Sequence, residues 1–453
     1  MYPVRNISRA LGFVLMSALG GAALAYTPPA KVESFLDKFR SYSDLTTAAG
    51  TMSLDTYTYN LTTWQMTHGG FSKAHDVLYV SPWDGTAALS SWTGTNSEPL
   101  GMYDNNATVQ EMRLLAVQYK ATTNSSYKKT FKTSFQKAVG FVLASQLANG
   151  GWPQVYPKRG NYSDMATYND NAMTRLMVMV KDMVAKKAPF DSDITDSTSL
   201  AKLQTALTKA VDYAVKAQIV NGGAPTVWCA QHDPSTYAPV GARAYELASK
   251  SGSESVGVVA FLMGWPDQTA AVQKAVKGAL AWYKKTKVSD LKFSSGLFVA
   301  SAGASMWYRF YNVENDSQFF CDRDGIKTYD FMSVSEERRT GYQWGGDYGS
   351  TLLGLESLYL TALGSTSVQP RVSSRLLPLR TIGGEAEVAV GRDGTYNARW
   401  VSASGAVLAT MNGQAREGRL VLHVPEQLGT SVALLMLTDP DGNAETLRAI
   451  RMR

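Results

Sequence analysis

Cysteine is nearly missing from this chain, whose 453 residues hold only Cys229 and Cys321. That excludes a disulfide-stapled scaffold and leaves the pair as either one bridge or two buried thiols. Long apolar runs are missing too once residues 1–25 are set aside, so no membrane-spanning helix is expected. Lysine stops at Lys327, and residues 365–453 carry ten arginines and no lysine. Basic side chains exceed acidic ones by six and the pI is about 9.0. Yet consecutive basic residues come only in pairs, such as Lys128-Lys129 and Arg338-Arg339, and no basic run or basic–aromatic stripe resembles a nucleic-acid module. An acidic polymer remains open as a partner. No serine sits in a G-x-S-x-G elbow, and no EF-hand spacing occurs.

What is present begins with a leader. Arg5 and Arg9 precede the apolar, small-residue stretch Gly12 to Ala25, which closes on Ala23-Leu24-Ala25. This is the pattern of a signal peptide over residues 1–25, with a secreted mature chain beginning at Tyr26. The compositional break near residue 365 divides the remainder. Residues 375–453 alternate apolar and polar side chains, as in Glu385–Val390 and Leu420–Val424, between Gly-Arg-Asp-Gly and Asp-Pro-Asp-Gly turns. They are expected to form a small all-β, sandwich-like module. Residues 365–374 read as its linker and 26–364 as a mainly helical domain.

The helical part repeats itself. Gln65-Met-Thr-His68-Gly-Gly, Gln146-Leu-Ala-Asn149-Gly-Gly and Gln218-Ile-Val-Asn221-Gly-Gly are three copies of Q-x-x-[H/N]-G-G at spacings of 81 and 72 residues. A helix ending in Asn-Gly-Gly predicts a left-handed C-terminal stop. Between copies, Asp104-Asn-Asn-Ala-Thr108, Asn169-Asp170-Asn-Ala-Met-Thr174 and Ser253-Glu-Ser255 each open an apolar run with good N-cap residues. Three helical hairpins predict a solenoid or toroid. Helix N-termini sharing one end would bring Asp104, Asp170 and the proline-punctuated loop Trp228–Glu254 together.

Chemistry-bearing residues concentrate there. Asp104 with Asn105 and Asp170 with Asn171 stand at corresponding places in two repeats. Carboxylate and amide oxygens suit Ca²⁺ or Mg²⁺ rather than Zn²⁺, although the same residues also serve as ordinary helix caps. His232 beside Asp233 lacks a nucleophile and reads as a satisfied histidine. Arg243 is isolated between small residues in the polar loop. The turn around Arg323 and the segment Glu336-Glu-Arg338-Arg339-Thr-Gly-Tyr-Gln-Trp344 join arginine forks, which suit carboxylates, to aromatic rings, which suit sugar faces.

In order along the chain, WQMTHGGFSKAH, YDNNATVQEMR, NGGWPQVYP, YNDNAMTRLM, WCAQHD, ARAYELAS, WYRFY, FCDRDG and SEERRTGYQWGG resemble polysaccharide lyase family ten, the pectate lyases. The likeness spans about residues 40–360 and stops before the tail. Phe71 stands where the family usually has Trp. The resemblance implies an (α/α)3-type toroid and calcium-assisted anti β-elimination of polygalacturonate, an acidic polysaccharide, to 4,5-unsaturated products. It would make Arg243 the catalytic base, put Asp170, Asn105 and Asp104 at calcium, and set Arg323 and Arg338 on substrate carboxylates. Asn171 and Asp233 join the expected substrate contacts. The expected enzyme is a secreted monomer with neither nucleic acid nor membrane as partner. An α/α-toroid glycoside hydrolase or a non-catalytic binder of acidic polysaccharide are the alternatives.

Overall fold

The long polar-faced helices form for visible local reasons. Asn124 accepts hydrogen bonds from the amides of Ser126 and Tyr127, and Phe131, Phe135, Ala138 and Val142 make a buried stripe behind it. Asp196 and Thr269 cap two further helices in the same way. Such amphipathic helices need a second row to cover the apolar stripe. The rows are seen in a computed structural model that describes residues 26–367, 379–382, 384–390, 393–402, 407–424, 433–438 and 444–450. The expected signal peptide and residues 368–378 lie outside the described residues.

In chain order the helices are α1 (Ala30–Leu36), α2 (Ser43–Ala49), α3 (Leu54–Thr63), α4 (Val109–Ala121), α5 (Ser125–Ala144), α6 (Ala172–Val184), α7 (Ser197–Ala217), α8 (Ser255–Met263), α9 (Ala270–Thr286), α10 (Glu336–Thr340) and α11 (Ser350–Ser367). Helices α3, α5, α7 and α9 pack in succession as one row; α4, α6 and α8 pack as a second row against them. The second row is the core: all nine residues of α8 are buried, as are most of α4 and α6. Helix α1 packs on α8.

The repeated glutamine sets the spacing of the first row. Gln65 Nε2 donates to Gly69 O (2.8 Å) and to Ser134 O of α5 (2.9 Å). Gln146 Nε2 donates to Gly150 O (2.9 Å) and to Ala206 O of α7 (2.8 Å). Gln218 Nε2 donates to Thr226 O (2.8 Å) and to Ala275 O of α9 (2.9 Å). Each amide therefore ties its own turn to the next helix. His68 and Asn149 play one part, each accepting from the amide two residues ahead at 3.2 Å. The glycines permit the close approach: a Cβ on Gly69 would lie 2.2 Å from Lys137 O, and one on Gly150 would lie 2.4 Å from Lys209 O.

The predicted role of Asn-Gly-Gly as the helix stop is therefore corrected. Helices α3, α5 and α7 end earlier, at Trp64, Ser145 and Gln218, none of them left-handed. The left-handed glycines shape the turn beyond. The expected N-caps are corrected too, since α4, α6 and α8 have no side-chain cap hydrogen bond at all.

Strands supplement the helices. Val288–Ser294 and Leu297–Tyr308 form a long antiparallel hairpin that no hydrophobic period announced. Its two-residue turn, Ser295-Gly296, takes positive φ at both positions (51° and 75°), the twist-compatible choice for hairpins. Helix α11 continues to Ser367, so the first residues of the expected linker are helical. Cys229 and Cys321 are both buried free thiols. Among the described residues, no helix is long and apolar enough to cross a membrane.

Chain contacts separate Thr27–Ala362 from a second unit that contains the residues from Leu363 onward. In the latter, strands Leu379–Ile382, Glu385–Ala389 and Arg419–His423 make one antiparallel sheet. Gly394–Ser402, Val407–Ala415, Ala433–Thr438 and Ala444–Ile450 make another. Alternate residues of both, including Val388, Leu420, Trp400 and Leu435, join one buried cluster.

Gln146→Ala removes both the turn and the inter-helix hydrogen bond, and is expected to cost about 2 kcal/mol of unfolding free energy. Denaturant unfolding checks this; a loss below about 0.5 kcal/mol would contradict the linking role.

Candidate active site

Two irregular turns, not helix caps, deliver the acidic residues. Each enters its second-row helix through a short 3-10 turn, Asp104–Asn106 before α4 and Asn169–Asn171 before α6. In both turns two successive residues are left-handed: Asn105 (φ 48°) with Asn106 (67°), and Asp170 (51°) with Asn171 (60°). Asn and Asp tolerate this conformation better than other side-chain-bearing residues. The backbone thus matches Asn105 with Asp170 and Asp104 with Asn169, one residue away from the correspondence expected between Asp104 and Asp170. No capping bond consumes these side chains.

The turns and the Trp228–Glu254 loop meet at a cleft of about 280 Å³, which Asp104, Asn105, Asp170 and Arg243 all line. Lys73, Trp92, Gln154, Tyr162, Asn169, Gln231 and Glu246 complete its wall. A larger, more apolar cavity of about 460 Å³ between α6, α7 and the Trp265–Ala271 segment holds none of the expected site residues.

Charges around the cleft are mostly paired. Lys73 pairs with buried Asp104 and sits 4.5 Å from the Trp92 ring centre. Arg243 forks onto Glu246, with Nε 2.7 Å from Oε2 and Nη2 on Oε1. Arg309 Nη2 reaches Glu254 Oε1 at 2.6 Å. Asp170 differs, because it makes no salt bridge among the described residues. Its carboxylate opens into the cleft, yet the surrounding walls exclude enough water to raise its pKa, and Glu254, Asp104 and Glu246 add to the rise while Arg309 opposes it. The fork onto Glu246 raises the pKa of Arg243 further above its already high value.

The other arginines gather on aromatic rings. The Tyr245 ring centre lies 4.9 Å from the Arg243 guanidinium carbon, 5.6 Å from that of Arg323 and 3.8 Å from that of Arg338. Arg338 is buried, also faces Tyr342 at 4.3 Å, and leaves Nε and Nη2 without hydrogen-bond partners among the described residues. Arg339 instead donates to the carbonyls of Val334 (2.6 Å) and Met332 (3.3 Å). That distinguishes the two neighbours: Arg338 faces the aromatic slot. Arg323 is exposed and forks onto Glu337 (2.9 and 2.7 Å).

Asn171 and Asp233 do not line the cleft. Asn171 lies against α8, where a Cβ on Gly257 would come within 2.6 Å of its Oδ1. The Asp233 carboxylate closes its own turn, accepting from the amides of Ser235 and Thr236 at 2.8 Å. His232 is the satisfied histidine expected of it. The Cys229 amide donates to Nε2 and Nδ1 reaches Tyr237 O, both at 2.9 Å, and burial pushes its pKa down to about 4.

The pectic acid lyase family model matches residues 65–353, a span that holds the whole cleft. The chain belongs to the pectic acid lyase family. Family 10 polysaccharide lyase from Cellvibrio cellulosa is 39% identical and superposes with a TM-score of 0.61, covering 71% of this chain and 97% of its own. An aspartate-to-alanine mutant of that lyase, in complex with trigalacturonic acid, matches with the same identity and TM-score over 98% of its length. A search of curated proteins returned no match. The enzyme is thus a polysaccharide lyase. Sequence reasoning gave no role to Arg309, Glu246 or Lys73, although all three lie inside motifs that carried the family resemblance.

Tyr245→Phe is expected to leave pectate cleavage near wild type. Tyr245→Ala, which removes the ring shared by Arg243, Arg323 and Arg338, is expected to raise KM about tenfold, as loss of one or two cation–π contacts would. Steady-state kinetics on the two variants check this, and an unchanged KM in Tyr245→Ala would contradict it.

Proposed function

We propose that this lyase is a secreted, monomeric pectate lyase that cleaves polygalacturonate by calcium-assisted anti β-elimination, with Arg243 as the base. The two helical rows are read as an (α/α)3-type toroid carrying the cleft, and the tail as a sandwich-like accessory module. The observation that carries the reading is the meeting, in one cleft, of Arg243 with Asp170, which makes no salt bridge among the described residues.

The donor set fits a hard cation. Asp104, Asn105 and Asp170 offer oxygen only, and Asp170 makes no salt bridge among the described residues, so a divalent ion would relieve its raised pKa. Among the described residues, no three acidic, thiol or imidazole groups converge to hold an ion by themselves. Substrate carboxylates and water would complete the shell. Bound there, calcium would supply Lewis-acid stabilisation of the galacturonate carboxylate as its α-carbon loses a proton.

The chain's own residues do the remainder. Arg338, with unpaired N–H groups in an aromatic slot, and Arg323 would hold substrate carboxylates and fix the ring. Stabilising charge beside C5 is the principal demand, because removing that hydrogen places a second negative charge next to the carboxylate. Neutral Arg243 takes the hydrogen; the C4–O bond opens on the opposite face and leaves a 4,5-double bond. Pairing with Glu246 favours the protonated guanidinium, so the neutral form grows only with rising pH, and activity is expected to peak on the alkaline side.

Absorbance of the conjugated product, followed on polygalacturonate at alkaline pH, tests the reading. A rise that needs calcium, stops with chelator and is absent in Arg243→Ala is expected. Shorter chains without absorbance would point to hydrolysis, binding without cleavage to a non-catalytic carbohydrate binder, and an optimum below neutrality would remove Arg243 as the base.

A further inference from the structure

We infer that Glu246 is a positioning residue for the elimination, one that selects which nitrogen of Arg243 is free to take the proton. The inference rests on the reading of Arg243 as the base. Its ground is the geometry of one tight loop. The Glu246 amide donates to Arg243 O (2.7 Å), and the Ala242 amide donates to Glu246 O (2.9 Å). The Glu246 carboxylate then folds back onto the same segment: Oε2 accepts from the Arg243 amide (3.3 Å) and from Nε (2.7 Å), while Oε1 accepts from Nη2. The Tyr342 hydroxyl donates to Oε1 at 3.0 Å and holds the carboxylate from the other side. Glu246 has a side chain 7% exposed, whereas Arg243 is 46% exposed. A buried anchor thus grips a cation that opens to the cleft.

The grip decides the tautomer. A carboxylate engaging Nε–H and Nη2–H favours the form that keeps both protons, so the guanidinium loses its proton at Nη1. Among the described residues Nη1 has no hydrogen-bond partner. In the reaction the Nη1 lone pair takes the C5 hydrogen as a proton, restoring the guanidinium. The C5–H electron pair becomes the C4–C5 double bond, the C4–O pair departs with the oxygen, and water protonates that oxygen. The same carboxylate has a cost, because its charge favours the cation and moves deprotonation to higher pH. Other groups facing the pair are the Tyr245 and Tyr342 hydroxyls, the Asp170 carboxylate, and the cations Arg309, Arg323 and Arg338.

Glu246→Gln removes the charge and leaves only one acceptor oxygen. The rising limb of its kcat/KM against pH is expected to move to lower pH by about one unit, with plateau kcat lowered about tenfold and KM within about twofold of wild type. Glu246→Asp keeps the charge but shortens the reach; its limb should stay in place while kcat falls about tenfold. If Glu246→Gln does not fold, the Asp variant carries the test. A wild-type kcat in either variant, or a loss confined to KM, would overturn the positioning role. Arg243→Ala run in parallel separates the two claims. An inactive Arg243→Ala beside a wild-type Glu246→Gln sinks only this inference, whereas an active Arg243→Ala sinks the base itself.

Discussion

One side-chain amide, used three times, fixes the frame on which the cleft is built. Gln65, Gln146 and Gln218 each hold a carbonyl of their own turn and a carbonyl of the next first-row helix. A side-chain amide nitrogen with both hydrogens engaged resists movement, because breaking either bond strands a carbonyl. The link brings each turn so close to the next first-row helix that only glycine fits at positions 69 and 150. Every second-row helix starts downstream of such a turn, so the start of α4, the start of α6 and the loop before α8 face one cleft.

That frame frees polar groups that helices usually consume. The heads of α4 and α6 are turned by paired left-handed residues instead of being capped, so Asn105 and Asp170 reach the cleft wall. The surrounding charges balance in pairs, Lys73 with Asp104, Arg243 with Glu246 and Arg309 with Glu254, and Asp170 stands outside the pairing. A carboxylate without a salt bridge in a partly dry cleft favours a bound cation. Arginines stacked on Tyr245 and Tyr342 create a matching demand for anions. The proposed pairing of an anionic sugar chain with a divalent ion would satisfy both.

Legibility in the sequence followed the range of the interactions. The repeat period, the two helical rows and the gathering of Asp104, Asn105, Asp170 and Arg243 come from local patterns that recur, and local patterns show in a string. The purpose of the thrice-repeated glutamine does not, because its partners Ser134, Ala206 and Ala275 lie 57 to 69 residues away. The same limit hid Arg309 on Glu254 and the aromatic slot that Arg338, unlike Arg339, faces. Asp233 shows a short-range case: its side chain accepts from an amide two residues away, a role as common for aspartate as ligand binding. The hairpin at Ser295-Gly296 was within reach, since that dipeptide carries its own turn signal.

The central claim is that the cleft removes a proton from carbon and adds no water to the broken bond. Cleavage of polygalacturonate in heavy-oxygen water, with mass analysis of both new chain ends, addresses it most directly. The account predicts one end bearing the 4,5-double bond and no heavy oxygen fixed at the cleaved linkage. Heavy oxygen incorporated there with each cut, and no unsaturated end, would contradict it.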